Sequence, residues 1–211
     1  MNKRVSGLYA VTPELTDSIA LVSNVEAALR GGARVIQYRS KSIEDSLRRT
    51  QAGQVARLCR IWSALFIVND CVELAREVDA DGVHLGKDDG DVVVARAVLG
   101  PGKLIGVSCY NEIARARAAV AVGADYVAFG SFFPSATKPQ ALRAGTELLR
   151  VAASEIALPV VAIGGITEDN AAGLIAAGAD AVAVVSALFD AIDVEAQARR
   201  FARLFQMLVN S

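Results

Sequence analysis

Hydrophobic and polar positions along the chain recur with a long period. Four segments share a small residue, an alanine, a polar or charged residue and then an apolar strand: GGARVIQYR (31–39), VDADGVHLG (78–86), VGADYVAFG (122–130) and AGADAVAVVS (177–186). Their alanines, at positions 33, 80, 124 and 179, are 47, 44 and 55 residues apart. This spacing is too long for one strand–helix unit and suits two. The repeat therefore predicts a further strand inside each interval.

Apolar segments are present at the expected places. VSGLYAV (5–11) precedes the first repeat, and LFIVND (65–70), KLIGVS (103–108) and LPVVAIGG (158–165) occupy the intervals. Most of these strands lack a clean alternation of polar and apolar residues, which is typical of strands that are buried on both faces.

Helices are predicted between the strands. Apolar residues of segment 193–209 recur at three- and four-residue steps and form one stripe: Val194, Ala198, Phe201, Phe205 and Leu208. SIED at 42–45 resembles a capping box, with Ser42 before the helix and Asp45 three residues on. Thr167 or Asp169 is expected to cap the helix after the seventh strand.

Eight strands that alternate with helices predict an α/β protein with a single (β/α)8 TIM barrel, and one domain over residues 1–211. The length suits one domain with a large core. A doubly wound open sheet is the alternative, and the fourfold repeat favours closure.

Composition limits the possible partners. Apolar residues make up 53% and charged residues 21% of the chain, and the formal net charge is −1. This balance argues against a general binder of nucleic acid or membrane surfaces, so any affinity for anions must come from a local cluster. The three cysteines lack metal-like spacing and are expected to be thiols. No apolar run suits a signal peptide or a membrane span, so we expect a cytoplasmic protein.

Polar side chains and glycines are concentrated where the predicted strands end, which is where TIM barrels carry their active sites. In chain order they are Gln37, Arg39 and Lys41; Asn69 and Asp70; Asp89; Ser108; Ser135, Thr137 and Lys138; Gly164 and Gly165; and Val185 and Ser186.

These residue types fit phosphate chemistry. Arg39 offers a planar guanidinium group and Lys41 an ammonium group, and both can bind the oxygens of a diphosphate. Asp70 and Asp89 offer the hard oxygen ligands that suit Mg²⁺. The Gly-Gly pair at 164–165, before a helix and beside the end of the eighth strand, is typical of a site for a phosphate monoester. The pattern predicts two anion sites, one cationic with a metal and one built from amides and hydroxyls.

Each feature also has a purely structural interpretation. Arg39 and Lys41 could lie in a solvated loop, Asp70 could cap the next helix, and the Gly-Gly pair could serve only the turn. His84 is the only histidine, and we interpret it as a hydrogen-bonded strand residue rather than a general base. The convergence of all the features on one rim favours function.

Taken in order, the motifs resemble the thiamine-phosphate synthase family along nearly the whole chain. They are Q-x-R-x-K at 37–41, N-D at 69–70, G-V-H-L-G-x-x-D at 82–89, G-V-S at 106–108, S-x-T-K at 135–138, A-I-G-G-I at 162–166 and V-S-A at 185–187. The resemblance implies a Mg²⁺-dependent barrel enzyme. It would join 4-amino-2-methyl-5-hydroxymethylpyrimidine diphosphate to 4-methyl-5-(2-phosphoethyl)thiazole and release pyrophosphate.

The resemblance also implies a role for each residue. The residues that would hold the pyrimidine diphosphate are Gln37, Arg39, Lys41, Asn69 and Lys138, with Ser108 near the pyrimidine. Asp70 and Asp89 would bind Mg²⁺. The residues that would seat the thiazole phosphate are Thr137, Gly165, Val185 and Ser186, and Ser135 would supply a further substrate-binding hydroxyl. Catalysis would rest on Arg39, Lys41, Ser108 and Lys138. The chain departs from the family pattern at Lys87, where a glutamine is usual.

Three other functions are compatible with the same barrel. They are a thiazole tautomerase, a non-catalytic phosphate-binding barrel and a metal-independent isomerase of a phosphorylated sugar. Tautomerases of this family commonly carry a histidine after the glycine that ends the sixth strand, and that position is Ser131 here. The Asn69–Asp70 pair is also intact, so we predict the coupling reaction.

Overall fold

A computed structural model describes residues 5–41, 44–134 and 143–209, and eight parallel strands in it close into a barrel. The strands are β1 (Gly7–Val11), β2 (Val35–Tyr38), β3 (Leu65–Asn69), β4 (Gly82–Leu85), β5 (Leu104–Tyr110), β6 (Tyr126–Phe129), β7 (Val160–Ile163) and β8 (Ala181–Val184). Each strand pairs with its successor, and β8 pairs with β1. The predicted (β/α)8 TIM barrel is confirmed, and the open-sheet alternative is wrong.

Helices follow the strands in turn. They are α1 (Ser18–Arg30), α2 (Asp45–Ile61), α3 (Val72–Glu77), α4 (Val92–Leu99), α5 (Ile113–Ala121), α6 (Thr146–Glu155), α7 (Glu168–Ala176), α8 (Ser186–Phe189) and α9 (Val194–Val209). Within the described ranges, none of these helices has the length and apolar character needed to cross a bilayer.

The repeated alanines mark the passage from a helix to an even-numbered strand. Each is buried and lies two residues before its strand. Each also donates its backbone N–H to a carbonyl in the last turn of the preceding helix, as from Ala33 to Ala28 at 3.0 Å and from Ala80 to Ala75 at 2.8 Å. The repeat in the sequence therefore corresponds to a helix-to-strand connection that occurs four times in the fold.

The polar residue after the alanine ties neighbouring strands together at the amino end of the barrel. Asp81, Asp125 and Asp180 each accept a hydrogen bond from the backbone N–H at the start of the preceding strand, at 2.7–2.9 Å. These carboxylates satisfy amide groups that would otherwise lie part-buried without a partner. The amino end of the barrel therefore stabilises the fold, and the active site of a TIM barrel lies at the opposite, carboxyl end of the strands.

Apolar residues form two cores. One lies between the barrel wall and the helices, and it contains the alternate strand residues such as Ile36 and Val83. The other fills the barrel interior: Val5, Tyr9, Val11, Val35, Leu65, Ile67, Tyr126, Ala128, Val161, Ala181 and Ala183. The two tyrosines are the only members of this interior core that carry a polar atom on the side chain.

Two predicted helix starts have different outcomes. Helix α2 begins at Asp45 with Glu44 as its N-cap, and the Glu44 carboxylate accepts from the Ser46 N–H at 3.4 Å. The predicted capping box is therefore wrong, because Asp45 is the first helical residue and not the third; Ser42 lies outside the described residues. Thr167 is the N-cap of α7, as predicted, and its N–H donates to the Asn170 side chain at 2.9 Å.

Candidate active site at the carboxyl ends of the strands

The second strand ends earlier than the Gln37-Arg39-Lys41 spacing implies. Strand β2 stops at Tyr38, so strand alternation directs only Gln37 into the barrel. Beyond it, the Arg39 N–H donates to the hydroxyl of Thr12 at 3.0 Å. The Lys41 N–H donates to the Glu14 carboxylate at 2.7 Å. The loop after β1 therefore holds this cationic segment at the rim, a constraint that the sequence pattern did not indicate.

Lys41, Asp70 and Asp89 come together from three different loops. The Lys41 Nζ lies 3.0 Å from Asp70 Oδ2. Asp89 accepts from the Gly86 N–H at 3.1 Å. Desolvation and the neighbouring Asp70 carboxylate raise the pKa of Asp89, while Lys41 opposes the shift. The two carboxylates are thus close enough to repel each other.

This carboxylate pair fits a divalent cation. A cation between Asp70 and Asp89 would relieve the repulsion that raises the pKa of Asp89. Within the part of the chain that the structure describes, no group of three or more histidine, cysteine or acidic side chains forms a metal site. Two carboxylates are nevertheless a usual protein contribution to Mg²⁺, whose other ligands are water and phosphate oxygens.

Stability alone does not explain the Lys41–Asp70 pair. The Lys41 side chain is 53% exposed, and pairs at such exposure contribute about 0–1 kcal/mol. Asp70 also adopts a left-handed backbone conformation with φ of 63°, which costs an ordinary residue on the order of 1–2 kcal/mol. Its N–H donates to the His84 carbonyl at 2.8 Å, which fixes the turn. The alternative interpretation of Asp70 as a helix cap is wrong, because the N-cap of α3 is Cys71.

A hydrogen-bonded network crosses the barrel interior beneath the rim. We call it the interior network, and its five members are Gln37, Tyr9, Tyr126, His84 and Ser108. Gln37 Nε2 donates to the Tyr9 hydroxyl at 2.8 Å, and the two tyrosine hydroxyls are 2.9 Å apart. His84 Nδ1 is 3.1 Å from the Tyr126 hydroxyl, and His84 Nε2 is 2.9 Å from Ser108 Oγ.

Burial keeps the interior network uncharged. Burial lowers the pKa of His84 to about 4, with Asp89 opposing the shift. Burial likewise raises the pKa values of Tyr9 and Tyr126 above the ordinary range. Both ring nitrogens of His84 have partners, which agrees with its interpretation as a strand residue rather than a general base. Neither tyrosine was predicted as a functional residue; the only signal in the sequence is an inward position on an apolar strand.

Gly106 makes room for Tyr126. The two residues are register partners on β5 and β6. A Cβ atom at Gly106 would lie 2.0 Å from the Tyr126 ring, which no side chain could accommodate without moving the ring. Gly106 and Ser108 lie on the same face of β5, so one strand supplies both the space for the tyrosine and the hydroxyl at the end of the network.

The Gly-Gly pair after β7 has the backbone conformation that only glycine adopts readily. Gly164 and Gly165 have φ of 107° and 62°. A Cβ atom at Gly165 would lie 2.3 Å from the Pro134 carbonyl oxygen. The loop after β6 therefore packs directly on this turn.

The end of β8 lies beside this turn, because β7 and β8 are paired through Ile163 and Ala183. Val185 and Ser186 follow β8, and Ser186 is exposed at the start of α8. The structure thus brings Gly165, Val185 and Ser186 to neighbouring strand ends.

The remaining predicted site residues lie elsewhere. Asn69 is the last residue of β3; it is half-buried and is the register partner of His84. Ser135, Thr137 and Lys138 lie outside the described residues.

Comparison with known proteins agrees with these features. The family model for thiamine monophosphate synthase matches residues 8–188. The thiamine-phosphate synthase of Methylobacillus flagellatus is 57% identical over 201 residues, covering 95% of this chain and 96% of that one. The thiamine-phosphate synthase of Aromatoleum aromaticum is 56% identical and covers 96% and 97%. The structure of thiamine phosphate pyrophosphorylase from Pyrococcus furiosus superimposes with a TM-score of 0.86 at 36% identity and covers 96% of both chains.

Proposed function

Because the chain belongs to the thiamine monophosphate synthase family, we propose that its rim couples 4-amino-2-methyl-5-hydroxymethylpyrimidine diphosphate to 4-methyl-5-(2-phosphoethyl)thiazole. The protein is a transferase of thiamine biosynthesis that acts on small molecules. The observation that carries the substrate assignment is the meeting of Lys41, Asp70 and Asp89 beside the interior network. We further propose a cytoplasmic location and a single domain over residues 1–211.

The diphosphate end of the pyrimidine substrate is assigned to the cationic rim. Arg39 and Lys41 would bind its oxygens, with Lys138 and Asn69 added by the family resemblance. Asp70 and Asp89 would hold Mg²⁺, which supplies positive charge to the phosphate oxygens when bound. Lys41 now pairs with Asp70 at 3.0 Å. That contact keeps the ammonium group pre-positioned at the place where the phosphates arrive.

The coupling chemistry needs charge stabilisation more than proton transfer. The bond between the methylene carbon and the diphosphate oxygen breaks first, and Arg39 and Lys41 stabilise the departing pyrophosphate. The aminopyrimidine ring delocalises the positive charge left on the methylene carbon, and the thiazole nitrogen then attacks that carbon. Holding the two rings in contact accounts for a further part of the rate. A neutral His84 with both ring nitrogens engaged is consistent with this route.

The second anion site is assigned to the thiazole phosphate. Gly165, Val185 and Ser186 would bind it through backbone N–H groups and the Ser186 hydroxyl. Ser135 and Thr137 would add hydroxyls. The closeness of the β7 and β8 ends supports this assignment.

A thiazole tautomerase is disfavoured by Ser131. Proton movement at neutral pH calls for a base such as histidine. Ser131 Oγ instead donates to the Phe133 carbonyl at 2.8 Å, so the hydroxyl is engaged within its own loop.

Incubation of the protein with both substrates and Mg²⁺ tests the proposal. We expect thiamine phosphate and pyrophosphate in equal amounts, and neither product when one substrate is omitted. Failure to form thiamine phosphate under these conditions, with a folded protein, would rule out the coupling assignment.

A further inference from the structure

Of the five members of the interior network only Ser108 is not buried, and His84 is 8% exposed. Tyr9 and Tyr126 are at most 1% exposed, and Gln37 is 5% exposed. Ser108 is half-buried at the opposite end. The coupling chemistry needs no proton relay through this interior, so a purely apolar filling would serve it equally well. Four buried polar side chains linked to the half-buried Ser108 therefore require another explanation.

The numbers of donor hydrogens and acceptors in the interior network determine which group donates in each hydrogen bond. The Gln37 amide nitrogen can only donate, so Tyr9 accepts from it and must use its own O–H elsewhere. The hydroxyl of Tyr126 is the neighbour at 2.9 Å that can accept it. If Tyr126 donated to Tyr9 instead, the buried Tyr9 hydrogen would have no acceptor in the network, and burying an unpaired donor is unfavourable.

The same count continues to the other end. Tyr126 has accepted from Tyr9, so its own O–H is directed to His84 Nδ1 at 3.1 Å. A neutral imidazole has one N–H, which then lies on Nε2 and donates to Ser108 Oγ at 2.9 Å. Ser108 accepts from His84 and keeps its own hydrogen for a partner at the rim.

We propose that Tyr9, Tyr126 and His84 are positioning residues that orient two groups toward the pyrimidine ring: Ser108 as a hydrogen-bond donor and Gln37 Oε1 as an acceptor. The pairing matches an aminopyrimidine, whose exocyclic amine donates and whose ring nitrogens accept. It opposes a 4-oxo pyrimidine, whose carbonyl accepts and whose neighbouring ring N–H donates. The network thus selects the amino form of the ring. The identity of the ring rests on the proposed function, whereas the direction of the network does not.

The direction of the hydrogen bonds in the interior network can be measured on the protein without substrate. His84 is the only histidine, so ¹⁵N-labelled histidine gives one pair of ring signals without assignment by mutation. At neutral pH we expect a protonated Nε2 and an unprotonated Nδ1. Protonation at Nδ1 alone, or at both nitrogens, would overturn the proposal, because Ser108 would then have a different partner geometry. This result does not depend on whether the protein couples its substrates.

The selectivity is tested by binding without turnover. Calorimetry with the 4-amino pyrimidine diphosphate and its 4-oxo analogue, in the absence of the thiazole, should show the oxo form binding about 100-fold more weakly. In Tyr126→Phe the preference should fall below about tenfold, because nothing then fixes the His84 tautomer. Tyr38→Phe is the matched control, since it also removes a buried strand hydroxyl, which donates to Gln51 at 2.9 Å outside the barrel.

The two variants give opposite results if the proposal is correct. Tyr38→Phe should keep the wild-type preference for the amino ring, whereas Tyr126→Phe should lose most of it. Equal preferences in the two variants would overturn the proposal. If Tyr126→Phe does not fold, the ring signals of the wild-type protein still decide the direction.

Discussion

Acidification should destabilise this barrel through one side chain, His84. The imidazole is buried, and burial lowers its pKa to about 4 in the folded protein, against about 6.5 in an unfolded chain. Between these two values the unfolded state binds a proton that the folded state does not. Stability must therefore fall as the pH falls through this window, and it is unaffected by His84 above it.

The size of the effect follows from the two pKa values. Each pH unit between them changes the free energy of unfolding by about 1.4 kcal/mol. From pH 7 to pH 5 the loss is about 2 kcal/mol, because the linkage begins only near pH 6.5. The groups that face the ring are the hydroxyls of Tyr126 and Ser108, which are neutral here, and the more distant Asp89, which opposes the shift.

Urea unfolding of wild type and His84→Gln at pH 7, 6 and 5 measures this linkage. Glutamine is neutral throughout and keeps a hydrogen-bonding side chain at this position. The carboxylates are shared by both proteins, so their effects cancel in the difference. We expect the wild type to lose about 2 kcal/mol more than the variant. Parallel stability curves for the two proteins would contradict this prediction, because they would show that His84 has the same pKa in the folded and unfolded states.

Three further predictions concern the rim. Arg39→Ala should lower the coupling rate about 10²–10³-fold, or about 3–4 kcal/mol, with little change in Tm, because Arg39 lies outside both cores; near-normal turnover would remove Arg39 from the diphosphate site. Asp70→Asn and Asp89→Asn should each weaken coupling severely, and excess EDTA should abolish it; full activity in EDTA would contradict the Mg²⁺ assignment. The protein should not isomerise the thiazole carboxylate tautomer, and rapid isomerisation without coupling would place it with the tautomerases despite Ser131.

The arrangement of the rim shows where prediction from sequence stopped. The predicted strand ends identify Asn69 as the last residue of β3, whereas β5 continues past Ser108 to Tyr110 and Gln37 is buried in the barrel interior. The contact between Lys41 and Asp70, however, depends on loops after two different strands and on the left-handed turn at Asp70. A sequence pattern indicates that two residues follow neighbouring strands, but it does not indicate which side chains touch.

The barrel architecture could be predicted from local sequence features. These are a buried alanine where each even strand follows a helix, apolar strands of four to seven residues, and periodic helices between them. The interior network, by contrast, depends on contacts between residues that are distant in the sequence. Tyr9 and Tyr126 are 117 residues apart, and their hydroxyls meet at 2.9 Å across the barrel. That meeting depends on the register of all the strands between them and on the missing side chain at Gly106. Register is a property of the closed sheet as a whole and cannot be inferred from the sequence of a single strand.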